Sequence, residues 1–135
     1  MRALALLVLV PALLGLALTG CADQDSAQIL ELDDAIHDVE RALGRYVTTD
    51  PQGPATQLAR ATDRVVSEWE GVRSAAEGLD EVDLAAAEEA LAGLVHASSM
   101  IPEEMTAREG LEILEPFIDA FEEEVDEIHD ALDVH

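Results

Sequence analysis

The stretch ILELDDAIHDVERALGRY, Ile29 to Tyr46, decides the fold. Its large apolar residues Ile29, Leu32, Ile36, Val39, Leu43 and Tyr46 recur at alternating steps of three and four, which places all six on one seam of a helix. Ala35 and Ala42 flank that seam and permit a neighbour to come close. A single amphipathic helix has nowhere to bury such a stripe, so the rest of the chain must supply partners. The spacing predicts a helix from near Ser26 to the polar, breaker-rich run Thr48-Thr49-Asp50-Pro51-Gln52-Gly53.

Three further segments repeat the pattern. The second starts near Pro54, a residue tolerated at the first helical position, and carries Leu58, Thr62, Val65, Trp69, Val72 and Ala76 as far as Glu77. Gly78 suits the left-handed residue after a helix, Leu79 its apolar contact, and Asp80 the cap of the next helix, so a very short connection is expected. Helix three then holds Leu84, Ala87, Leu91, Leu94, Ser98 and Ile101 on an alanine-lined seam, and Pro102 breaks it. Beyond, Thr106 and Glu109 have capping-box spacing, and Leu111, Leu114, Ile118, Phe121, Val125, Ile128 and Leu132 form the longest seam. Pro116 falls inside that seam, where a continuous helix costs about 3 kcal/mol, and predicts a kink or restart between Gly110 and Phe117. No segment alternates with period two, so no sheet is expected. Short links imply antiparallel neighbours, and the predicted fold is all-α: an up-down-up-down four-helix bundle over residues 26–135. One long coiled coil is ruled against by the breaks at Pro51 to Pro54, Gly78 and Pro102.

The N-terminus has a different character. Met1 and Arg2 precede an apolar run, Ala3 to Leu18, then the small residues Thr19 and Gly20. This is the layout of a secretory signal peptide, too short for a spanning helix and followed by acid rather than by positive anchors. Leu18-Thr19-Gly20-Cys21, with the chain's one cysteine last, resembles the lipobox of bacterial lipoproteins. The resemblance implies diacylglyceryl transfer to the Cys21 sulfur, cleavage between Gly20 and Cys21, and acylation of the new amino group. Residues 1–20 are then the leader, and 21–25 the lipidated cysteine with a short tether. More than one acyl chain is what firm anchoring requires. Ala22, where retained inner-membrane lipoproteins tend to carry aspartate, leans towards an outer membrane facing the periplasm, if the host has one.

Charge narrows the partners. Every basic residue is arginine, and once Arg2 leaves with the leader, six arginines face thirty Asp and Glu. No basic stripe exists to neutralise phosphates, so nucleic acid is excluded as a partner, and anionic lipid repels the body of the domain. A basic protein or cationic ligand is the complementary partner. The lysine-free acidity fits either a salt-loving host or a GC-rich genome; on the first reading the melting temperature rises from dilute buffer to molar salt, as screening shortens to about 3 Å at 1 M.

Few residues suggest chemistry. Asp34 with His37 and Asp126 with His129 form a repeated D-x-x-H, similar in spacing to the Glu-x-x-His element of di-iron bundles, and an antiparallel bundle brings the start of helix one near the end of helix four. The seam places His37 on the outer face and His129 at a flank, so solvated surface is the expected role. His96 and Met100, four apart near Met105, are an imidazole and thioether pair that suits Cu(I), though their face points outward. Haem needs axial groups facing the core, and none lies on a seam. The carboxylates of Glu122 to Glu124, Asp126 and Glu127 read as a solvated face. No nucleophile elbow or phosphate-cradling loop is present. The expectation is a lipid-anchored, non-catalytic binding or structural component that needs no cofactor; the alternative is a metal- or haem-binding periplasmic bundle using the histidines above.

Overall fold

Helix α1 covers residues 26–48 and buries Leu32, Ile36, Val39, Ala42, Leu43 and Tyr46. The computed structural model describes residues 26–133, so the leader, the lipobox and Cys21 lie outside the described residues. The helix stops where hydroxyls take over its last carbonyls. Thr48 Oγ1 donates to the Arg45 carbonyl at 3.0 Å and Thr49 Oγ1 to that of Tyr46 at 2.7 Å.

Helices α2 (Thr56–Ala76), α3 (Ala85–Ser99) and α4 (Ala107–Asp133) follow, and the four pack as a bundle. Successive helices run antiparallel. Gln28 at the start of α1 donates to the carbonyls of Ala75, at 3.2 Å, and Glu77 at the end of α2. Arg73 near the end of α2 pairs with Glu88 near the start of α3, and the Phe117 ring of α4 lies over Gly93 in α3. At the other end of α4, Leu132 shares a cleft with Ile29, while Val125 and Asp126 lie beside Glu40 and Leu43. The four seams meet in one core holding Trp69, Tyr46, Phe121 and Leu114. Trp69 and Phe121 meet edge to face, ring centres 5.4 Å apart. Each fully buried aliphatic or aromatic side chain contributes about 1.5–3 kcal/mol, and this burial fixes the helices in place. The described residues contain no strand; Pro54 and Thr106 form one isolated bridge.

That bridge belongs to a pad where two connections join. Ala55 donates its N–H to the Met105 carbonyl at 3.1 Å, Ala107 to Gly53 at 2.9 Å and Arg108 to Pro51 at 3.1 Å. The expected capping box completes the set: Glu109 N–H donates to Thr106 Oγ1 at 3.2 Å, and Glu109 Oε1 accepts from Thr106 Oγ1 at 3.0 Å. The first N–H groups of α4, which an isolated helix leaves orphaned, are thus all answered. Gly110 follows at once, so close to α2 that a Cβ on it would stand 2.6 Å from Leu58 Cδ1.

Two expectations need correction. Asp80 does not cap α3: the helix begins at Ala85, and Asp83 Oδ1 accepts the Ala85 N–H at 3.0 Å. The α2–α3 connection is therefore eight residues, 77–84, because Leu79, Val82 and Leu84 first pack against the core. Gly78 does take the left-handed conformation, φ +87°. The restart expected near Pro116 is absent, since α4 runs unbroken through it. Pro116 and Glu112 both lie on the exposed face, the side on which loss of a helical donor costs least.

Candidate functional site

Asp33, His37 and Glu40 follow one another by four and three residues along α1, beside the buried seam rather than on it. That flank faces α4. The antiparallel packing brings His129 across from the last turns of α4, and the His37 and His129 rings meet edge to face with centres 5.2 Å apart. Asp33, His37 and His129 each offer one ligand atom, all within 4.8 Å of one another. His37 is exposed and the other two are half-buried.

The hydrogen bonds set the tautomers. His37 Nδ1 lies 2.8 Å from the Asp33 carbonyl oxygen, and because a carbonyl only accepts, the proton is on Nδ1 and the lone pair of the neutral ring is on Nε2. This bond, followed by the carboxylates of Asp33, Glu40 and Asp34, holds the imidazole above its ordinary value near 6.5. His129 stands between two carboxylates: Nδ1 is 3.3 Å from Glu40 Oε1 and Nε2 is 3.4 Å from Asp33 Oδ1. A neutral imidazole has one N–H for these two acceptors. Neither contact has the angle of a hydrogen bond, so both ring nitrogens stand beside carboxylates without being bonded to them.

The pairs singled out from sequence are only half assembled. His37 and His129 come together, but Asp34 and Asp126 are exposed and take no part in the triad. Asp33 and Glu40, which the D-x-x-H spacing passed over, occupy their places. His96 and Met100 are both exposed, Met100 ending α3, and among the described residues no cluster of His and carboxylate gathers around them.

No family model, curated protein or solved structure matches this chain.

Elsewhere the surface is acidic and its clefts shallow. A cleft of about 400 Å³ lies where the start of α1, the 77–84 connection and the end of α4 meet, lined by Ile29, Leu79, Val82 and Leu132 with Asp80 and Glu81 at its edge. On α4, partial burial and then the charges of Asp119 and Asp126 push the Glu122 carboxyl up, while desolvation and then Glu127 do the same to Glu124. Such shifts record desolvation first and like-charge repulsion along one crowded helix second. Phe117, at the edge of the α3–α4 seam, is partly exposed. Among the described residues no helix is long and apolar enough to cross a membrane.

Proposed function

We propose that the protein is a lipid-anchored component of a bacterial cell envelope, a helical bundle that binds a partner without catalysis of its own. The observation that carries this reading is Leu18-Thr19-Gly20-Cys21 directly after an apolar run, with the only cysteine in the chain at the position that receives lipid. Attachment then rests on acyl chains at Cys21, since a body with thirty acidic residues is repelled by anionic headgroups. Ala22 favours the periplasmic face of an outer membrane. The same acidity selects a basic protein or cationic ligand, which long-range attraction would bring in at a rate that falls with salt.

The anchor is tested by intact-mass spectrometry of the chain extracted in detergent from cells fed labelled palmitate. Acylated Cys21 at the new N-terminus is expected, with label lost in Cys21→Ser. An unmodified thiol, or a leader cut at another bond, sinks the reading. Crosslinking in native envelopes then identifies the partner, and a captured surface as acidic as this one would contradict the proposed complementarity.

A further inference from the structure

We infer that Asp33, His37 and His129 form a binding site for a divalent metal ion of the zinc class, clasping α1 to α4. This inference is independent of the lipid anchor. Asp33 and His37 are one turn apart on one helix face, the spacing at which two side chains of a helix share a zinc ion. His129 adds a third ligand from a second helix, and one nitrogen or oxygen from each residue lies within 4.8 Å of the others, His37 approaching the Asp33 carboxylate with Nδ1 at 3.7 Å, so that the exposed ring must shift to present Nε2. A tetrahedral ion with bonds of about 2.0–2.2 Å needs them about 3.4 Å apart. Half-exposed side chains at a helix flank have the rotamer freedom to close that distance.

The surrounding bonds prepare the ligands for a metal. The Asp33 carbonyl accepts from His37 Nδ1 and so leaves Nε2 free to coordinate. Glu40 Oε1 stands 3.3 Å from His129 Nδ1, on the side of the ring away from Nε2, which lies 3.4 Å from Asp33 Oδ1. A carboxylate behind a ligating imidazole is the usual outer-sphere arrangement, fixing the ring and raising its basicity. A cation between His129 Nε2 and Asp33 Oδ1, 3.4 Å apart, would supply the bond that this contact lacks.

Two imidazoles and one carboxylate select the chemistry. Calcium and magnesium prefer all-oxygen sites, whereas imidazole suits zinc, nickel and copper. With three protein ligands at an exposed flank, the ion keeps a position for water or for a donor group of a partner. The acidic field of the chain raises the local concentration of any cation.

The test uses the full chain in detergent, freed of metal and titrated calorimetrically with zinc chloride against a large excess of magnesium chloride. One zinc ion per chain should bind despite the magnesium, with ring-nitrogen NMR signals of both His37 and His129 displaced at saturation. His37→Gln and His129→Gln should each weaken binding more than about 100-fold and Glu40→Gln about 10-fold, since outer-sphere partners carry 10–100-fold of affinity. Asp34→Asn and Asp126→Asn should change it less than about twofold, below any outer-sphere effect. The inference is overturned by zinc uptake that magnesium abolishes, by uptake indifferent to both histidine substitutions, or by either ring signal staying in place at saturation. The NMR criterion is read on the unsubstituted chain, so it decides the matter even where a variant fails to fold.

Discussion

The two ends of the bundle are built on different principles. At one end the connections 49–55 and 100–106 hydrogen-bond to each other across the molecule, and Gly110 lets α2 and α4 touch almost backbone to side chain. At the other, the single connection 77–84 turns on Gly78 and is held by local packing of Leu79, Val82 and Leu84, by the Gln28 cap and by the exposed Arg73–Glu88 pair. Tertiary backbone bonds dominate the first end, side-chain bonds and partly buried apolar contacts the second. Substitutions at the first should therefore cost more.

The largest effect is expected from Gly110→Val. The new side chain meets Leu58 and Ile101 where a Cβ alone obliges the buried Leu58 side chain to shift, and overpacking by the further methyl groups costs up to about 3 kcal/mol, read as a lower urea midpoint. A midpoint equal to that of the unsubstituted protein would show the first end to be softer than its contacts.

Tyr46 lies next to that pad, and its hydroxyl donates to Thr62 Oγ1 at 2.6 Å while Thr62 donates on to the Leu58 carbonyl at 2.9 Å. Burial pushes the phenol up to about 12. Because the folded value exceeds the ordinary one near 10, the fold favours the neutral phenol. That contribution is complete below pH 10 and is lost as pH rises through 12. Two pH units correspond to about 2–3 kcal/mol. The chain has one tyrosine and no lysine, so little else titrates in the window. Stability measured from pH 9 to 12 should fall in the unsubstituted protein and stay nearly level in Tyr46→Phe; parallel curves would refute the assignment.

The second end should respond less. Gly78→Ala forces a Cβ into the left-handed region at about 1–2 kcal/mol. Asp83→Ala removes the bond to Ala85 N–H for about 0.5–1 kcal/mol, whereas Asp80→Ala stays within about 0.5 kcal/mol. If Asp80→Ala proved costlier than Asp83→Ala in thermal melts, α3 would start earlier in solution.

The helices were legible because each seam is a run of three- and four-residue steps that only a helix satisfies, and every large residue of those seams is buried or packed against the core. The start of α3 was not, since Asp80 and Asp83 are equally good caps in sequence. The choice fell to Leu79, Val82 and Leu84, which have to reach the core before the chain can coil. Of the two outcomes expected at Pro116 the restart does not occur, since the proline falls on an exposed flank of α4 that only packing sets. The histidine cluster was half legible. Both histidines stood out, but Asp34 and Asp33 are each within a turn of His37, and the one that faces α4 is decided by how the bundle closes. An aspartate four residues before a histidine, with glutamate three after, is the signal that could have pointed to the right flank.

The loop pad joins two helical hairpins at their bends. At the opposite rim 77–84 ties α2 to α3, while no connection joins α1 to α4, so any opening is a parting of α1 from α4, the two jaws of that rim. Amide exchange should be slowest around Ala107 and fastest along 77–84, and a metal bridge between His37 and His129 would act partway along the jaws as a latch.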